Sequence, residues 1–230
     1  MQDISLHLQA VLQRIDQACR QAGRKPDAVQ LLAVSKTRPA SVIRAAYEAG
    51  LRHFGENYVQ EALAKMAELD DLPLTWHLIG HLQSNKATEV ANRFHWVHSV
   101  DRLKVAERLS AARSPQLPPL NICLQVNIDD EGSKSGCQVA ALPALVNAVL
   151  ALPNLALRGL MIIPRPGNDQ AFAELVQIRQ QLQQTIPELA AAQFDTLSMG
   201  MSADMEAAIR AGSTMVRVGA ALFGVRAVKE

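Results

Sequence analysis

Apolar residues fall along this chain in two alternating rhythms. Over residues 3 to 22 they recur at helical spacing, as Ile4, Leu8, Val11, Leu12, Ile15 and Cys19, and Gly23 follows as a stop signal. Beyond it, short apolar runs alternate with amphipathic stretches. The runs are VQLLAVS (29–35), RHFGE (52–56), TWHLIG (75–80), HWVHSV (95–100), LNICLQVN (120–127), LALRGLMI (155–162), FDTLSMG (194–200) and MVRVG (215–219). PASVIRAAYEAG, DRLKVAERLSAA and MEAAIRAG lie between them. The pattern predicts one leading helix and then eight βα units. Eight parallel strands close naturally into a barrel, and runs without strict alternation fit strands buried on both faces. The predicted fold is therefore α/β: a single TIM-type (β/α)8 barrel with an extra N-terminal helix, one domain over residues 1–230. SPQLPP (114–119) is the most loop-like stretch, and it joins a helix to the fifth strand rather than two domains.

In such barrels the chemistry sits where the strands end. Read in order, those ends carry Ser35-Lys36, Gly55-Glu56-Asn57, Gly80-His81, Ser99, Asn127, Pro164, Ser198-Met199-Gly200 and Arg217-Val218-Gly219. Lys36 directly follows a buried run. A lysine there either snorkels to water, the commoner case, or offers a neutral amine for a Schiff base. Arg217 interrupts an apolar run, and the small residues after it let a ligand approach main-chain N–H groups, as a phosphate requires. Ser198 and Gly200 form a matching half-site on the seventh strand. Ser202 reads as the cap of the next helix, with Asp204 or Glu206 helping its first turn. Asn57 is placed equally well to cap a helix or to bond a ligand. Glu61 and Lys65 read as a surface i, i+4 pair. His77 falls within a strand and His81 beyond it, so a two-histidine metal site is not expected. VNIDDEGSKSGC (126–137) reads as a polar loop, in which Lys134 could meet an anion or simply be solvated.

Composition narrows the classes. The 230 residues are 49% hydrophobic with a net charge of +1, which supports a large core and points to neither nucleic acid nor membrane surface. Cys19, Cys123 and Cys137 are scattered without metal-ligand spacing, as suits a reducing cytosol. No signal-peptide block or membrane-length apolar run is present in the sequence. A cytoplasmic protein is expected.

Taken together, LLAVSKTRP, HFGENYVQE, WHLIGHLQSNK, GSKSGC, LSMGMSADMEAAI and VRVGAALFG strongly resemble the YggS/PROSC family of pyridoxal phosphate homeostasis proteins. The resemblance runs nearly end to end. It implies a fold-type III barrel like the N-terminal domain of alanine racemase, with pyridoxal 5′-phosphate (PLP) held as an internal aldimine on Lys36. It implies that Ser198, Gly219 and Ala220 hold the phosphate, that Met199 and Gly200 line the site and that Arg217 faces the pyridine nitrogen. Asn57 and His77 are implied to lie near the cofactor.

An arginine on the ring nitrogen disfavours its protonation and weakens PLP as an electron sink. The opposite face also lacks an evident base. Alanine racemases supply a tyrosine from a second domain of a partner subunit, whereas this chain ends just after its eighth strand. Tyr47 reads as packing and Tyr58 as a poor candidate. The expectation is a monomer that binds and shields PLP and passes it to PLP-dependent apo-enzymes, without efficient catalysis. The rivals are a weak amino-acid racemase, a Schiff-base aldolase on a phosphorylated substrate and an interaction module with an empty barrel.

Overall fold

The computed structural model describes residues 4–132 and 135–224. Its eight strands are β1 Gln30–Val34, β2 His53–Glu56, β3 Thr75–Leu78, β4 Trp96–Val100, β5 Leu120–Gln125, β6 Leu155–Met161, β7 Thr196–Met201 and β8 Met215–Val218. They pair in chain order and close, β8 lying parallel to β1 with Leu32 opposite Arg217 and Ala33 opposite Val218. Each predicted run contains its strand, shortened at the polar ends except where β7 reaches Met201. The helices are α1 Ile4–Gln21, α2 Ala40–Glu48, α3 Val59–Glu68, α4 Ala87–Arg93, α5 Leu103–Ala112, α6 Leu142–Leu150, α7 Gln170–Thr185, α8 Glu188–Ala191, α9 Met205–Ala211 and α10 Ala220–Phe223.

The leading helix buries one stripe, Leu8, Val11, Ile15, Ala18 and Cys19, as its spacing dictates. It ends at Gly23, whose φ of +65° suits a glycine. That stripe packs on α9 and α10. Arg14 fastens it there, pairing with Glu206 at 2.6 Å and donating to the Ser202 carbonyl at 3.0 Å. The extra helix thus backs the β7–β8 sector of the barrel.

The main apolar core lies between the strands and the helices. Inside the barrel a separate apolar cluster is small: Leu32, Ile79 and Met215, with Val34 packed against it. Polar side chains occupy further interior space. His98 on β4 meets Ser198 on β7 at 2.8 Å, and these strands are not neighbours, so the bond crosses the lumen. The 49% apolar composition therefore does not give a wholly apolar barrel interior.

Candidate functional site

Lys36 stands just beyond β1, half-buried, in a turn that runs to Pro39. Val34, Lys36, Thr37, Arg38, Gly219, Ala220 and Gly224 line a cavity of about 320 Å³ at the C-terminal ends of β1 and β8. The structure thus brings Lys36, Gly219 and Ala220 to one place. Gly219 permits this close approach: a Cβ there would sit 3.2 Å from the Val34 carbonyl oxygen.

The turn is held from below by a buried ionic cluster. Lys65 on α3 donates to Glu56 at 2.7 Å, to Glu61 at 2.6 Å and to the Ser35 carbonyl at 2.9 Å. The Ser35 hydroxyl donates to the same Glu56 oxygen at 2.6 Å. Glu61 also accepts the Thr37 N–H. Thr37 needs that anchor, because its φ of +64° lies in the left-handed region that a β-branched residue rarely adopts. The surface Glu61–Lys65 pair read from the sequence is therefore corrected. The pair forms, but the Lys65 side chain is only 7% exposed, and it also neutralises Glu56, which is fully buried. Burial pushes the Glu56 carboxyl up, against hydrogen bonds from Lys65 and Ser35 that pull it down.

Asn57 lies at the end of β2 beside a second depression, of about 380 Å³, shared with Tyr58, Gly80 and His81 among others. Its Oδ1 is buried with no hydrogen-bond partner among the described residues. Tyr58, not Asn57, precedes α3 as its cap residue, and no side chain caps that helix. Of the two roles open to Asn57, capping is thus not the one it plays. Gly80 lets the Asn57 backbone pass, since a Cβ there would fall 2.1 Å from the Asn57 carbonyl oxygen.

The other sequence-predicted residues line neither of these two depressions. Ser198 is fully buried, and its hydroxyl bonds Arg217 at 2.9 Å and His98 at 2.8 Å. Arg217 donates further to the Ser198 carbonyl at 2.6 Å and the Ile162 carbonyl at 2.8 Å. Burial pushes its guanidinium down to about 10, so it stays a cation at neutral pH. His77 spends both ring nitrogens on other histidines, His98 and His53, each at 3.0 Å, and stacks on Trp96. Its ring is held neutral, well below the usual range, by burial and by the neighbouring histidines. Met199 is fully buried in the core. Gly200, at φ +92°, lies so close to α9 that a Cβ would come 2.6 Å from that of Ala208.

Ser202 is also corrected. Asp204 precedes α9 as its cap residue, while the Ser202 hydroxyl accepts the Ala221 N–H at 3.4 Å, joining the two loops that follow β7 and β8. Lys134 lies outside the described residues, as does Lys229. His81 is exposed beyond β3, as its place in the sequence predicts. Sequence reasoning missed Ser35, Glu56 and Lys65 as supports of the lysine turn, and His53 and His98 as partners of His77. A signal existed for Glu56, which closes an apolar run, and for the histidines, which fall in three successive apolar runs, but none for Lys65.

Residues 6–227 match the family described as alanine racemase, N-terminal domain. The chain is 57% identical to the pyridoxal phosphate homeostasis protein of Pseudomonas aeruginosa, covering 98% of this chain and 97% of that one. It is 50% identical to its Escherichia coli K12 counterpart, over 98% of both. Among solved structures, PipY of Synechococcus elongatus PCC7942 with PLP bound superposes with a TM-score of 0.83 at 42% identity, over 96% of this chain and 100% of that one. A closed eight-stranded barrel with its lysine at the end of β1, matched end to end by these relatives, places this chain in the pyridoxal phosphate homeostasis protein family.

Proposed function

We propose that this protein binds PLP at the Lys36 cavity, covalently through the Lys36 amine, and serves PLP homeostasis as a holder and supplier of the cofactor. The observation that carries the reading is the meeting of Lys36 with Gly219 and Ala220 around one cavity. The residues fit the group. Half-buried Lys36 shares its cavity with small residues whose backbone a phosphate can approach, and Asn57 Oδ1 on the same rim is a buried acceptor with no partner among the described residues. The relatives named for PLP homeostasis, and PipY with PLP bound, support the same reading.

Each group has a task in this proposal. Lys36 supplies the nucleophilic amine. The Lys65–Glu56–Ser35 cluster keeps its turn in place, and Gly219 and Ala220 receive the phosphate, with Gly200 keeping β7 close to α9. When bound, PLP supplies an electron sink, strongest when its ring nitrogen is protonated. Arg217, a cation two positions before Gly219, opposes that protonation if the ring nitrogen lies against it. This favours holding over turnover. The finer reading is a cytoplasmic monomer that hands PLP to apo-enzymes, and the relatives named for PLP homeostasis support the supplying role. No helix among the described residues is long and apolar enough to cross a membrane.

The test is incubation of the PLP-loaded protein with L-alanine and other L-amino acids under a polarimeter. Optical activity is expected to persist over hours at micromolar protein. Rapid loss, abolished by Lys36→Ala, would replace the holder with a racemase.

A further inference from the structure

Hydrogen bonds thread the inside of the barrel from one end toward the other. Arg217 Nη1 lies 2.9 Å from Ser198 Oγ, which lies 2.8 Å from His98 Nδ1. His98 Nε2 lies 3.0 Å from His77 Nδ1, and His77 Nε2 lies 3.0 Å from His53 Nδ1. The residues come from β8, β7, β4, β3 and β2 in turn. His53 opens β2, and with Gln30, Trp96, Arg158, Asp195 and Thr214 it lines a cavity of about 400 Å³ at the N-terminal mouth, opposite the Lys36 rim.

Elementary donor counting gives this chain a direction. A guanidinium can only donate, so Ser198 Oγ accepts from Arg217. Its own proton then has His98 Nδ1 as its acceptor. With Nδ1 accepting, neutral His98 carries its proton on Nε2 and donates to His77 Nδ1. The same rule puts the His77 proton on Nε2, donating to His53 Nδ1, and leaves the His53 Nε2–H facing the mouth. The reverse direction would have Ser198 accept twice and strand its own proton in a fully buried place. The rings also remain neutral. Burial and the Arg217 charge hold His98 down to about 3, while burial lowers His77 and His53.

We infer that Ser198, His98, His77 and His53 are positioning residues for Arg217: a one-way hydrogen-bond chain, polarised by its charge, that fixes the guanidinium beneath the Lys36 cavity and ends as a donor at the opposite mouth. The inference rests on the PLP reading only where it concerns what Arg217 faces. The direction of the chain stands without it.

The test is a two-bond proton–nitrogen correlation spectrum of the full chain with 15N-labelled histidine, near neutral pH, with and without added PLP. His53, His77 and His98 are expected as neutral rings protonated on Nε2 in both samples. A proton on Nδ1, or a charged ring, at His77 or His98 would overturn the inference, and this needs no variant to fold. Ser198→Ala then removes the donor to His98 Nδ1. The His98 signals are expected to move to a mixture of tautomers, and an unchanged Nε2–H ring would contradict the polarising role. In the same variant the absorption band of added PLP should change its pH dependence if Arg217 has been released, whereas a purely structural role for Ser198 would leave it unmoved. A protein that shows the expected tautomers yet takes up no PLP would refute the cofactor reading and leave the chain standing.

Discussion

The two polar regions of this barrel are built on opposite terms. In the lumen, every linked nitrogen of His77 and His98 has a partner, and the charge of Arg217 is absorbed by carbonyls and a hydroxyl. At the C-terminal rim, Thr37 sits in a strained conformation, and neither Asn57 Oδ1 nor Glu56 Oε2 just below has a partner among the described residues. Satisfied networks specify a rigid interior, whereas strain and orphaned acceptors mark a place arranged for something other than stability. The difference separates lumen from rim without reference to any relative.

The largest effect that can break this contrast is expected at the rim's support. Lys65→Met leaves Glu56 buried without its cation, and unfolding in urea should show a loss of about 3–5 kcal/mol, the usual result of breaking a buried pair. A loss under about 1 kcal/mol would mean that Lys65 is no brace. In the lumen the expected effect follows pH. His98 ordinarily titrates at 6.5 and is held at about 3 in the fold, so an acidified unfolded chain gains a proton that the folded one refuses. Its contribution is present above the ordinary value and is lost as pH falls towards the folded one. From pH 7 to pH 5 this single ring should remove about 2 kcal/mol. His98→Gln should flatten that part of the stability curve, and an unaltered slope would show that His98 does not stay neutral.

The smallest expected effect on folding is at Asn57. Asn57→Ala deletes an acceptor that makes no bond among the described residues, so stability should stay within about 0.5 kcal/mol. PLP binding should weaken about tenfold, the worth of one hydrogen bond. A large fall in stability with unchanged PLP affinity would reverse the assignment of rim and scaffold.

The strands were legible because strands buried on both faces leave unbroken apolar runs, and α1 because its stripe recurs at helical spacing. Lys36 was legible only in company: alone it reads as a lysine snorkelling to water, and the set of motifs around it pointed to its amine. What stayed hidden was pairing over distance. Nothing local tells that Lys65, one helical turn beyond Glu61, points down to Glu56 rather than out to water. His98 and Ser198 are 100 positions apart, and only the closed barrel shows that they meet. The ends of β7 were hardest, since its pairing with β8 shifts register between Ser198 and Met201, so simple alternation does not tell which side chains face the lumen.

The most direct measurement is borohydride reduction of the PLP-loaded protein followed by peptide mass mapping, with Lys36→Ala in parallel. The expected result is a visible band that disappears on reduction, with the pyridoxyl phosphate mass fixed on the peptide containing Lys36 and absent from the variant. A wild-type protein that stays colourless with added PLP, or one that carries the mass on another lysine while Lys36 remains unmodified, would contradict the assignment of the site.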